Sequence, residues 1–511
     1  MVVALVATAC SVTGGSEGTR APEGVLRIGL ERPKTLDPAF AQFPAELVIV
    51  DQLFDSLTGY DPETLEVVPA VAEAWTSNPE LTQWDFSIDP QARFANGRPV
   101  SSADVKYTFD RIVAPKSGSG ASGDLSVIAG YEELQRGDIG VLVGLTLPDE
   151  RTVRFTLTRP MATFPAVVGQ PAYGIVPGEV VERNDPPFAE RPVGTGPFAL
   201  RSRSADVIRL VRAPGRDDVA LDGVEVYLSD TAQAPYAAFL RGRLDWASVP
   251  AERVAEVVAE RGDGAFRPYP AQLYYGFNLA NPKYADVRFR EAIVAAVDRG
   301  ALVREVYGQR VRPTSSLVPE GFPGHVPDAC GARCAYDPAK ARDLLAQTFG
   351  DGPVPEVVID YDEDPVQSAL VTAMEADLEA VGIPVALRPH SFTEYLQFVL
   401  TGEQEVFRLA WIAPSPTADA VLSPLFTSGS DDNVTKFASI PLDELVARAR
   451  ATADPQARSE LYAEAERLVL DQVPVIPIAQ LETHTVTAER VRGLEMNAFG
   501  TFDAGAVTLD G

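Results

Sequence analysis

The sequence predicts an α/β fold built from more than one lobe, on three observations. Short alternating runs of apolar and polar residues, each read as a strand, take turns along the chain with stretches of helical period. The chain has 511 residues, 46% hydrophobic and 23% charged, which is ample for large cores and too long for one ordinary domain. About two to four lobes are therefore expected. No repeat of short period is visible, so solenoid and propeller architectures have no support.

The ordered chain begins near Val25, where VLRIGL alternates as a strand. PKTLDPAF turns at Asp37-Pro38, ELVIVDQLFDSL has helical spacing, and GYDPETLEVVP reads as a turn with short strands. WDFSI and RTVRFTL alternate as strands. Between them Asn96-Gly97 is a tight-turn pair, and Ser101 or Ser102 caps a helix with Asp104 in its first turn. Val105, Phe109 and Ile112 then share one face, and KSGSGASGD is a surface loop.

DVIRLVR and GVEVYL read as strands, QAPYAAFLRGRLDWA as helix then strand, and YYGFNL as a strand. DVRFREAIVAAVDRGALVREVYG gives two helical pieces, the second capped by Asp298 and ended by Gly308. The next helix starts at Asp337 with Pro338 in its first turn. EVVIDY, SALVTAMEADLEAVG and VALRPHS follow as strand, helix and strand. FRLAWIA is a strand that runs into a Pro-rich loop. DPQARSELYAEAERLVLDQVP is an amphipathic helix, and VIPIAQ a return strand.

A net charge of −28 repels phosphates and anionic lipid, which disfavours nucleic acid as a partner. No run of about 18 uninterrupted apolar residues follows the N-terminal stretch, so no spanning helix is expected. Residues 1–9 are small and apolar, like the end of an export signal, and Ala7-Thr8-Ala9-Cys10 resembles a lipobox before a polar tether. Cys10 is therefore the expected lipidation site. Cys330 and Cys334, in CGARC, are expected to close a local disulfide, which export permits. The rival, half of a metal site, has no second Cys pair, and His325, His390 and His484 are scattered.

Gly194-Thr195-Gly196-Pro197-Phe198-Ala199 fits the G-x-G-x-x-G/A pattern of a dinucleotide loop. A phosphate loop needs a helix N-terminus after it, whereas here Pro197 removes an amide and more strand follows. The glycines are read instead as letting the backbone turn tightly between lobes. Asp360, Asp362 and Asp364 mimic the start of a calcium loop, but Pro365 and Val371 occupy the positions of its Gly and Glu. Neither G-x-S-x-G nor H-E-x-x-H occurs. No enzyme, cofactor or metal is expected.

The segments LDPAF, VVPAVAEAWTSNPELTQWDFSI, FANGRPVSSADVKYTFDR, RPVGTGPFAL, YYGFNLANPKYADVRFREAIVAAVDR, YDPAKARDLLA and VPVIPI span residues 36–478 in order. Together they resemble the family 5 extracytoplasmic solute-binding proteins of peptide, oligopeptide and nickel ABC importers. The resemblance implies a two-lobed fold of the periplasmic-binding-protein type II kind with an extra inserted α/β subdomain. Residues 1–24 would be signal and tether; 25–58, 190–270 and 475–511 lobe I; 59–189 the subdomain; and 271–474 lobe II. The crossings near 270 and 474 would form a hinge, with Gly194 and Gly196 where the chain re-enters lobe I. The implied function is an exported, lipid-anchored, monomeric receptor that closes on a peptide or similar solute and delivers it to the membrane permease. The alternative is an envelope accessory protein of the same fold acting in cell-wall or lipid biosynthesis.

Trp411 is the sharpest ligand candidate. The resemblance implies a W-x-[AG]-D arrangement whose Asp pairs with the ligand's α-amino group. Here Pro414 holds the acid's place, beside Ser415, and Asp419 substitutes only if the loop folds back. Trp411 is otherwise a core aromatic. A strand puts Tyr274 and Asn278 on one face and Tyr275 on the other, with the Tyr275 face favoured for the cleft. Asn278 has a rival use in a backbone turn. Trp246 is a candidate for the opposite wall, with core packing as its rival, and Phe40 is a third aromatic candidate. Arg408 either meets a ligand carboxylate or sits at an exposed edge.

Overall fold

The computed structural model describes residues 24–262, 266–308, 310–497 and 499–510; the expected lipidation site Cys10 lies outside them. Strand β1 (Val25–Glu31) and helix Pro44–Leu53 lead to the hairpin β2 (Thr58–Tyr60) and β3 (Val67–Pro69). Then come β4 (Ala72–Ser77), β5 (Gln83–Ile88), β6 (Leu145–Thr146) and β7 (Thr152–Thr156), followed by β8 (Phe198–Arg203), β9 (Val207–Arg212), β10 (Gly223–Ser229) and β11 (Trp246–Ser248). The rest is β12 (Arg267–Phe277), β13 (Val311–Pro313), β14 (Val357–Asp362), β15 (Val385–His390), β16 (Val406–Ile412), β17 (Val475–Thr483), β18 (Thr485–Thr487), and the pair β19 (Val491–Arg492) and β20 (Thr508–Leu509).

Three sheets organise these strands. The first has the order β18-β11-β1-β10-β9-β8, the second β13-β17-β12-β16-β14-β15, and the third β4-β5-β7-β6. We call the bodies around them lobe I, lobe II and the subdomain. In lobe I, β1 is parallel to both neighbours, with Ile28 opposite Val226 on β10 and Trp246 on β11. In lobe II, β14 is parallel to β15 and β16, while β12 is antiparallel to β16 and β17. In open sheets of this kind ligands bind beyond the carboxyl ends of the parallel strands, where the order reverses.

Each body has its own core. Leu26, Ile28, Val48, Ile49 and Phe198 lie in that of lobe I. In the subdomain Phe155 meets Phe86, Phe109 and Phe164 edge-on, with centroids 5.1–5.6 Å apart. Tyr275, Phe277 and Phe289 belong to that of lobe II. The chain passes between the two main sheets twice. It leaves β11 through helix Val254–Arg261 to reach β12, and it returns from β17 to β18 through the single residue His484. The passages are stitched together: Val249 N–H donates to the His484 carbonyl (2.8 Å), and Phe266 stands edge-on to the His484 ring (4.4 Å).

The subdomain also touches lobe II. Leu65, at the tip of the β2–β3 hairpin, packs into the lobe II core, and Ala162 N–H donates to the Arg450 carbonyl (2.8 Å). Leu65 has a left-handed backbone (φ 58°), a conformation costly for a branched side chain.

Gly194 and Gly196 serve close approach rather than a tight turn. Neither has positive φ; a Cβ on Gly194 would sit 1.9 Å from the Leu53 carbonyl oxygen, and one on Gly196 2.7 Å from that of Gln52. The loop lies against the end of helix Pro44–Leu53, where Gly196 N–H donates to Leu53 O (3.0 Å) and the Thr195 hydroxyl accepts from Asp55 N–H (2.8 Å). Cys330 and Cys334 are disulfide-bonded across a 3₁₀ turn.

Candidate functional site

A cavity of about 610 Å³ opens beyond the carboxyl ends of β1 and β11. Leu30 to Lys34 and the start of helix Pro44–Leu53 form one wall. The β17–β18 passage, Leu481 to Thr485, and Tyr269 of β12 form the other. The cavity thus lies at the junction of the two main sheets, with a volume suited to a small organic solute.

Local sequence explains the walls. Glu46 occupies the third position of its helix, and its buried carboxylate accepts from Lys34 N–H (3.0 Å), Gln42 N–H (2.9 Å) and Phe43 N–H (3.1 Å). One side chain thereby caps the helix and holds the loop after β1. Asp245, next to Trp246, accepts from Arg27 (2.8 and 3.0 Å) and Arg490 (2.8 Å). Burial pushes its carboxyl upward, but the two arginines outweigh that and lower it overall.

Several polar atoms on the wall have no partner among the described residues. Trp246 is 2% exposed and its ring packs on Phe502 (5.5 Å), yet its Nε1 makes no hydrogen bond. Thr483 Oγ1 and His484 Nε2 are likewise buried without one, although His484 stands 3.7 Å from Glu482. An unmade buried hydrogen bond costs about 1–3 kcal/mol, so such atoms mark where a ligand's polar groups gain most.

A second hollow, of about 410 Å³, lies at the carboxyl end of β14, lined by Asp362, Glu363, Asp364, Phe392 and Arg408. Arg408 meets Asp362 (3.4 Å), and among the described residues its buried Nε makes no hydrogen bond, nor does the hydroxyl of Tyr275, its neighbour across the strands. Exposed Phe392 on the rim of this hollow is followed by exposed Leu396 on the same helix, Phe392–Phe398. Of this hollow the sequence reading named only Arg408 as a ligand candidate; Phe392 and Leu396 showed no more than an i,i+4 apolar pair, which reads equally as core.

With this geometry in place, comparison with known proteins is decisive. Residues 66–433 match the model of the bacterial extracellular solute-binding proteins, family 5. The chain belongs to that family. It is 26% identical to dipeptide-binding protein DppE of Bacillus subtilis, over 98% of this chain and 95% of the relative. It is 28% identical to the probable deoxycholate-binding periplasmic protein YgiS of Escherichia coli, over 90% and 88%. Its fold matches the unliganded open form of the periplasmic murein tripeptide binding protein MppA, with a TM-score of 0.86, 23% identity and coverage of 96% and 98%.

The sequence candidates of this family 5 protein separate on the structure. Trp246 lines the main cavity. Phe40 does not; it stacks over Arg111 (5.3 Å), and Phe43, three residues on, takes the wall position. Tyr274 lines a crevice with Gln272, Pro319 and Trp411, whose Nε1 donates to the Ala420 carbonyl (2.8 Å). The preference for the Tyr275 face is not met at the ring itself, which is 0% exposed in the lobe II core. Asn278 is structural: its amide donates to Gly402 O (2.9 Å) and Gln404 O (2.8 Å), pinning the turn before β16.

Pro414 is half-buried, and buried Ser415 closes a short turn with Thr417. Asp419 does not turn back to the cleft. It is 3% exposed and accepts from Arg450 (2.8 Å), Tyr462 (2.9 Å) and Ser423 among lobe II helices. The calcium-like acids have three separate uses: Asp360 pairs with Arg388 and His390, Asp362 with Arg408, and Asp364 caps helix Pro365–Ala380.

Proposed function

We propose that this family 5 protein is the extracytoplasmic receptor of an ABC importer. It captures a peptide or similar small solute between lobe I and lobe II and presents the closed form to the membrane permease. One observation carries the reading: a cavity at the junction of two sheets, joined by two passages, with buried donors and acceptors on its wall that make no hydrogen bond among the described residues. Closure of two lobes follows from differential affinity, because a ligand that satisfies these atoms from both sides favours the closed arrangement.

The relatives named above, a dipeptide-binding protein and a probable deoxycholate-binding protein, support a small solute as ligand. They lend no support to the accessory role. The same reading includes binding without catalysis, a monomer, export, and anchoring through Cys10. Native mass spectrometry of protein purified without refolding tests it. A co-purified or library-captured small solute, with a raised thermal midpoint, is expected. Protein that stays empty and unshifted across di- to pentapeptide libraries would refute it.

A further inference from the structure

The subdomain is fastened to lobe I. Ala95 N–H donates to the Gly194 carbonyl (2.8 Å), Ile175 N–H donates to that of Asp55 (3.0 Å), and Arg111 pairs with Asp37. Toward lobe II the subdomain presents the tip of the β2–β3 hairpin. The Asp61 side chain accepts from Glu63 N–H (3.0 Å) and Thr64 N–H (2.8 Å), and Leu65 N–H donates to the Asp61 carbonyl (2.9 Å). The closed tip turns Leu65 into its left-handed backbone and sends its side chain into lobe II, where it is 7% exposed. There it faces Gly321 (φ 92°); a Cβ on that glycine would lie 3.9 Å from Leu65 Cδ1.

The receiving loop is held from behind and tied to the cavity. Val318 N–H donates to the Glu466 carboxylate (2.9 Å), and Glu320 N–H to the side-chain oxygen of Gln480 (2.9 Å). The Gln480 amide donates in turn to the carbonyl of Tyr269, a cavity-wall residue (3.3 Å). Leu65 and Gly321 lie outside both passages, so turning lobe II about the passages moves the socket away from the tip. A packed apolar contact is held or broken rather than stretched. Burial in lobe II offsets the cost of a branched side chain at positive φ, and does so only while the contact is made. In this arrangement the cavity is open to solvent, with Phe43 on its wall 49% exposed. Resting on the receptor reading, we propose that Leu65 is a latch. Seated against Gly321, it holds the lobes in the arrangement that admits solute, and closure withdraws it. Solute affinity is thereby kept below what the cavity contacts alone would give, because closing must also unseat Leu65.

The test compares wild-type protein with Leu65→Ala, Leu65→Asn and Leu65→Met, using thermal midpoints as a folding control. Asn tolerates the left-handed backbone, so Leu65→Asn removes the apolar side chain without adding strain. Met keeps an apolar side chain for the socket. Small-angle scattering gives the dimensions of the solute-free protein. Native mass spectrometry gives capture from a di- to pentapeptide library at limiting concentration. Leu65→Ala and Leu65→Asn are expected to be more compact without solute and to bind library members about fivefold more tightly, as the closed fraction rises. Leu65→Met should behave as wild type. Folded Ala and Asn variants with wild-type dimensions and affinity, or with weaker binding, would overturn the latch and leave the receptor reading standing. A wild-type protein that captures nothing would overturn the receptor reading. Scattering then decides the latch alone, and unchanged dimensions in the variants would overturn it.

Discussion

Replacing Asp419 by Ala separates a structural acid from a ligand-binding one. The carboxylate takes hydrogen bonds from Arg450 (2.8 Å), Tyr462 (2.9 Å) and Ser423, and only 17% of the Arg450 side chain is exposed. Deleting the acid strands a buried guanidinium, and losses of this kind run to about 3–5 kcal/mol. Asp419→Asn keeps an oxygen for Tyr462 and Ser423 but loses the charge, so about 2 kcal/mol is expected, the strength of one charge-assisted bond. The double variant Asp419→Leu with Arg450→Met removes both charges and should recover most of the loss. Urea unfolding followed by far-ultraviolet circular dichroism gives the stabilities; library capture well below the midpoint gives binding. An Asp419→Ala protein of unchanged stability that no longer binds solute would refute the structural assignment.

Four further outcomes are expected. Trp246→Phe removes an unpartnered N–H; solute affinity measured by calorimetry should fall about fivefold, roughly the worth of one neutral hydrogen bond. Gly194→Ala puts a methyl 1.9 Å from a carbonyl oxygen and should cost more than about 3 kcal/mol, read by thermal melting. Replacing Cys330 and Cys334 by Ser opens a very short loop and should cost about 2 kcal/mol in urea. Burial pushes the Glu466 carboxyl from 4.5 up to about 7, so the folded state holds the proton more tightly than the unfolded chain. Its contribution is present below about pH 4.5 and is lost as pH rises through 7. Glu466→Gln keeps an acceptor for Leu317 N–H and Val318 N–H, and should exceed wild type at pH 8 by about 3 kcal/mol in urea midpoint analysis.

The elements were legible because their signals are local. An Asp-Pro start such as Asp337-Pro338 satisfies an orphan amide and sets φ within two residues, so no distant contact can overrule it easily. Alternation in VLRIGL reports a sheet face directly. Family membership was also readable, since it rests on an ordered set of short motifs. Residue roles were less so. Asn278 and Asp419 are polar residues beside a predicted cleft, and only their partners, more than 120 and 30 residues away, reveal that backbone carbonyls and an arginine consume them. The exposed pair Phe392 and Leu396 went unread for the same cause, because periodicity gives a face but not what covers it.

By itself the amino-acid order determined the α/β class and the helix caps, since those depend on neighbours within a few positions. The tertiary structure decided which side chains line the cavity and which carry the lobes. Burial and hydrogen-bond satisfaction are properties of groups brought together from distant parts of the chain, as when Thr501 meets Asp51 or Asp245 gathers Arg27 and Arg490.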